Sequence, residues 1–210
     1  MVFIKKDILM NVSIEQTIKD GISIASNRYV VILANGLIAG VTAIAAGITI
    51  IGILAIPAIL GGYAESLIRI ARNEPVEIGD FFKAGFDMWG RLFGLTFFYT
   101  IGILIGLMLF VIPGIFLMVI WVFSIYLMVD HNLEIELALK KSYYLITDVA
   151  GFWNAFALMI IIFLVNAILQ IIPGIGLIWV IFGFPFVQMI YIVFYRDIVS
   201  SEGGKKVLAS

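Results

Sequence analysis

Six cations stand where they could grip phosphate: Arg69, Arg72, Lys83, Arg91, Lys140 and Lys141, all in two polar segments between long uncharged runs. A Lys or Arg near an anionic membrane surface is worth about 1 kcal/mol. These six are therefore candidate lipid-headgroup contacts. Glu65, Glu74, Glu77, Asp80 and Asp87 lie among them, so a solvated, salt-bridged face is the competing reading. A second set is uncharged. Asn166 and Gln170 are four residues apart, on one face of a helix, and Gln188 lies in the next apolar stretch. Together they form a candidate polar pocket, or else hydrogen bonds between helices worth roughly 0.6 kcal/mol each. The Asp130–His131 pair is conceivable as a proton relay, because histidine titrates near neutrality. A solvated helix end is the simpler reading.

Other chemistry lacks its residues. The chain contains no cysteine and one histidine, which excludes disulfides, thiolate nucleophiles and a metal centre with two imidazoles. Gly-x-Ser-x-Gly, His-Glu-x-x-His and P-loop patterns are absent. Glu134 and Glu136 are two apart, hence on different helix faces. No catalytic, cofactor or metal residue is assigned, and an enzyme is not expected. The net charge of −1 offers no field to recruit nucleic acid.

The elements that carry these residues follow from composition. Of 210 residues, 63% are hydrophobic and 13% charged, against roughly 45–50% and about 25% in soluble domains. Such a chain has too little polar surface for water. Three runs carry no Asp, Glu, Lys or Arg: residues 29–64, 92–129 and 149–195, of 36, 38 and 47 residues. One crossing takes about 20 residues, so each run is close to twice that length. Near the middle of each stands a breaker: Gly47 to Gly52 with Pro57, Pro113–Gly114, and Pro173–Gly174 with Gly176. The runs do not alternate as barrel strands would.

The expectation is an all-α integral membrane protein with six transmembrane helices in three hairpins. All charged residues fall in the four segments between and outside the hairpins, so these face one side, and the positive-inside rule puts both termini in the cytoplasm of a plasma-membrane protein. Residues 1–200 read as one polytopic domain and 201–210 as a flexible polar tail.

A repeat runs through the inner segments. Ile14-x-x-x-Ile18-Lys19-x-Gly21 matches Ile78-x-x-x-Phe82-Lys83-x-Gly85 and Ile135-x-x-x-Leu139-Lys140-x-Ser142, each just before an uncharged run. The spacing predicts a cytoplasmic amphipathic helix before every hairpin, lying in the headgroup region with its aromatic face down and lysines up. Weak repeats over 12–75, 76–132 and 133–197 follow. Pro57 and Tyr63 also have the separation of Pro185 and Tyr191. That alignment puts Pro57 and Pro185 within helices, as kinks or as interruptions marking a transport site; with Pro113 and Pro173 they are the candidate helix interruptions. Gly36 and Gly40 make a small-xxx-small packing notch.

Glu136-Leu-Ala-Leu-Lys-Lys-Ser142, the following apolar helix, Ile172-Pro-Gly-Ile-Gly176, Pro185 and Tyr195-Arg-Asp197 carry a resemblance. The chain resembles the small prokaryotic six-helix membrane proteins related to the membrane domain of glycerophosphodiester phosphodiesterases, most closely over its last 70 or so residues. The resemblance implies the six-helix fold. It implies no phosphodiesterase activity, because the domain bearing that chemistry has no counterpart here. The expected function is a non-catalytic membrane protein that binds lipid or a partner protein at its cytoplasmic face, with membrane lipids and a protein partner or second copy as its partners. The alternative is a channel or uncoupled transporter for a small or hydrophobic solute.

Overall fold

The structure, a computed structural model, describes residues 13–171, 179 and 182–210. The Pro173–Gly174 breaker and Gly176 lie outside the described residues. Among the described residues every regular element is helical. The elements are α1 (Ile14–Asn27), α2 (Tyr29–Gly47), α3 (Ile50–Ile53), α4 (Ile56–Ala71), α5 (Asp80–Asp87), α6 (Trp89–Leu109), α7 (Val111–Ile120), α8 (Ser124–His131) and α9 (Ile135–Tyr144). A π-helical segment (Leu145–Ala150), α10 (Phe152–Ile171), α11 (Phe184–Ser200) and α12 (Glu202–Ala209) complete the chain.

Four stretches are long and apolar enough to cross a membrane: Tyr29–Gly47, Trp89–Leu109, Val111–His131 and Phe152–Ile171. In the first, second and fourth, less than a quarter of the most apolar window is buried within the protein. Their side chains face outward, as lipid-facing helices do when the surrounding solvent is itself apolar. The two remaining long helices behave differently. α4 has 16 residues and α11 has 17, about 24–26 Å of rise, and both are sunk in the core. Twelve residues of α4 are buried, and Met189, Ile192, Val193 and Tyr195 of α11 have no exposed surface. Pro57 and Pro185 each stand in the first turn of their helix. No N–H is needed there, and proline starts a helix instead of kinking it. Pro113 is the third residue of α7, so it too begins a helix.

The amphipathic helices form where the repeat predicts them, α1, α5 and α9. Ser13 caps α1 by accepting from the Gln16 N–H at 3.3 Å. Their placement differs from the expectation. α5 lies antiparallel against α4, α1 packs on α11 and α9 on α8, so protein covers part of the face that the sequence assigns to headgroups. The repeat's last small residue makes the contact. Gly21 of α1 faces Ile190 of α11, where a Cβ would come within 2.8 Å of the Ile190 Cα. Gly85 of α5 sits on the Ala58 carbonyl of α4, and Gly62 of α4 on the Phe81 carbonyl of α5; a side chain at either would collide with backbone.

Ser142 of α9 donates its hydroxyl to the Ile120 carbonyl at 2.7 Å and accepts from the Phe123 N–H at 3.2 Å. The three contacts make a cyclic pattern. α5 of segment 76–132 packs on α4 of 12–75, and α9 of 133–197 on α8 of 76–132. α1 packs on α11 and closes the ring. Of the aromatics at helical spacing on α5 and the start of α6, Phe86 and Trp89 are exposed and Phe82 is half-buried, while the neighbouring Phe81 is completely buried.

The segment read as a flexible tail is a helix. Ser201 caps α12 by accepting from the Gly204 N–H at 2.9 Å, and Gly204 is packed so closely on Ile198 and Val199 that it admits no side chain.

Candidate functional site

The six candidate cations separate into two groups. Arg69 donates to the Pro75 carbonyl at 2.6 Å and lies 3.6–3.9 Å from carboxylate oxygens of Glu65, Glu74 and Asp80. Arg72, at the C-terminus of α4, grips Asp130 through both guanidinium nitrogens, at 2.5 and 2.7 Å. Arg91 donates to the side-chain and backbone oxygens of Asn132 at 2.6 and 3.2 Å. Lys141 is buried, with its ammonium on the Leu208 and Val207 carbonyls at 2.6 and 3.0 Å. It satisfies the open carbonyls at the end of α12 and meets the negative end of that helix's dipole. All four therefore hold groups of their own chain. Lys83 and Lys140 remain exposed.

Asp130 is the hub of a clasp that ties three helices together. Its carboxylate also accepts from the Tyr195 hydroxyl of α11 at 2.8 Å and lies 3.2 Å from His131 Nε2. The side chain is 4% exposed, so the reading of a solvated helix end is corrected: the groups that bury Asp130 come from 58 and 65 residues away. The hydrogen bond to Asp130 holds the Arg72 guanidinium even more firmly protonated than usual. Tyr195 is fully buried. Arg196 beside it donates to the Ala71 carbonyl at 3.1 Å, a second tie between α11 and the end of α4.

Lys140 does not stand alone. With Lys141, Lys206, Tyr144, Leu137 and Ser210 it lines an open groove of about 430 Å³ between α9 and α12. Lys206 was invisible as a site residue because the tail carries no periodic pattern long enough to read; the Lys205–Lys206 doublet was its only signal. Lys140, Lys206 and Tyr144 are exposed, and Lys141 forms the inner wall. The groove thus joins two ammonium groups in solvent to a tyrosine and an exposed leucine, the mixed chemistry of a bilayer interface.

The polar-pocket residues do not converge. Asn166 donates to the Ile162 carbonyl of its own helix at 2.8 Å and accepts from Trp179 Nε1 at 3.0 Å. It edges a cavity of about 440 Å³ whose other walls are apolar side chains of α1, α10 and α11. Gln170 is exposed and Gln188 half-buried, and neither lines that cavity. Of the glycine notch, Gly36 lies against the Tyr63 hydroxyl, whereas Gly40 touches nothing.

A residue that sequence reasoning passed over is Asn35, completely buried in α2. Its Oδ1 accepts from the Gly79 N–H at 2.9 Å and its Nδ2 donates to the Glu77 carbonyl at 3.5 Å. Gly79 has φ +94°, a left-handed conformation that favours glycine. Asn35 thereby fixes the turn that launches α5; a lone amide in an uncharged run was the available sign. Among the described residues no group of three His, Asp or Glu side chains is disposed to hold a metal ion. No family model, curated protein or solved structure matches the chain.

Proposed function

We propose that this is a non-catalytic membrane protein of six crossings, in three hairpins with both termini cytoplasmic, that binds an anionic phospholipid at its cytoplasmic face. The observation that carries the reading is the groove between α9 and α12, where Lys140 and Lys206 are exposed above Tyr144 and Leu137. α4 and α11 supply the fifth and sixth crossings in this reading. They are short for a full bilayer, and a core position among longer helices suits that. The phosphate of a lipid accepts from the two ammonium groups while the tyrosine and leucine rest at headgroup level. Lys83 adds a further exposed charge on the same face.

The test is native mass spectrometry of protein released from membranes containing phosphatidylglycerol and phosphatidylcholine. The intact protein retains phosphatidylglycerol selectively. Lys140→Gln with Lys206→Gln lowers its retention about thirtyfold, two contacts of about 1 kcal/mol each. Equal retention by the double variant overturns the reading. The second reading, an uncoupled channel or transporter, draws on the cavity beside Pro57.

A further inference from the structure

The first two hairpins leave a cavity of about 270 Å³ between α4, α6 and the α7–α8 junction. Ile56, Pro57, Leu60, Leu95, Val122 and Ile125 make its walls apolar, and the Trp121 ring closes one side. Three hydroxyls interrupt that lining: Thr96, Tyr99 and Ser124. Ser124 donates to the Trp121 carbonyl at 2.6 Å, which leaves its lone pairs open. Thr96 and Tyr99 meet no hydrogen-bond partner among the described residues.

A buried hydroxyl left unpaired costs about 1–3 kcal/mol. One such group is a tolerable defect. Two unpaired hydroxyls on the wall of one cavity are the donor set of a polar guest.

The charge of that guest is set by what surrounds it. No Asp, Glu, Lys or Arg lines the cavity, and the uncharged run 92–129 supplies most of its polar wall. The nearest acid along α8, Asp130, is already held by Arg72 and Tyr195. An ion would enter this site without a counter-charge and at the cost of its hydration. Leu60, on the rim, is 47% exposed, so the cavity opens sideways onto the face that lipid covers.

We infer that the cavity lined by Thr96, Tyr99 and Ser124 binds an uncharged membrane-dissolved molecule through a hydroxyl group, with its hydrocarbon part along Pro57, Leu60 and Ile125. This site is separate from the lysine groove and survives the failure of that proposal.

A diazirine-bearing long-chain alcohol, added to the full chain in phosphatidylcholine nanodiscs and photolysed, tests it. Labelling is expected to saturate and to map to peptides containing Thr96–Tyr99 and Trp121–Ile125. Excess 1-dodecanol displaces it, whereas dodecyl sulfate and dodecyltrimethylammonium do not. Tyr99→Phe raises the half-saturating concentration about fivefold, one neutral hydrogen bond. Val122→Phe, which fills the cavity without touching a hydroxyl, abolishes saturable labelling and covers the case of a Tyr99→Phe variant that fails to fold. Labelling that never saturates, that charged amphiphiles displace equally, or that persists unchanged in both variants overturns the inference.

Discussion

Arg72 and Asp130 meet end to end, the guanidinium of one helix C-terminus clamped on the carboxylate of another at 2.5 and 2.7 Å. Tyr195 completes the clasp from a third helix. The Asp130 carboxylate is 4% exposed and the Arg72 side chain 35%, so water screens only one partner. Removing the arginine leaves a buried carboxylate with the Tyr195 hydroxyl and His131 for company. Arg72→Ala is expected to cost about 3 kcal/mol, the lower end for breaking a buried pair because Arg72 is partly solvated. Tyr195→Phe, which removes one bond to a charged acceptor, costs about 1.5 kcal/mol. Unfolding of the detergent-solubilised protein by sodium dodecyl sulfate reads both. Because the residues share one network, the double variant should lose less than the sum of the two.

The helix contacts of the ring predict a sharp contrast among glycines. A Cβ on Gly62 or Gly85 would run into the carbonyl of Phe81 or Ala58, and backbone cannot swing aside as a side chain can. Gly62→Ala and Gly85→Ala therefore drive α5 off α4, and neither should yield folded protein in amounts comparable to the parent. Gly40, in an exposed stretch of α2 with open space around it, takes alanine freely and gains about 0.5–1 kcal/mol of helix stability. Size-exclusion profiles of the three variants in mild detergent separate these outcomes.

That contrast marks where sequence reasoning stops. The helical, apolar character of the chain was legible because hydropathy is a local property, and so were α1, α5 and α9, whose period of about 3.6 is written in fewer than fifteen residues each. The coincidence of Gly21, Gly85 and Ser142 at the end of each repeat was legible too. Its meaning was not, because the surface each residue touches belongs to a different segment of the chain. Asp130 failed for the same reason: beside His131 at the end of an apolar run it has the local signature of a solvated terminus, and only Arg72 and Tyr195 say otherwise. Four of the six cations are held by their own chain, since spacing along a helix shows that a charge is present and says nothing about which oxygens reach it first. α12 was missed because two adjacent glycines in eight residues give weak helix propensity; tertiary contacts override it.

Lys141 is the contact that holds α12. Its ammonium donates to two carbonyls of the last turn, and its side chain is buried between α9 and that helix. Lys141→Met keeps the hydrocarbon stem and deletes the charge, so the carbonyls of Val207 and Leu208 lose their donor while packing is preserved. The expected result is release of α12 without global unfolding. Limited proteolysis then cuts at Lys205 or Lys206 at least tenfold faster than in the parent, while the unfolding midpoint of the core moves little. If proteolysis is unchanged, the packing of Gly204 on Ile198 and Val199 holds the helix without help.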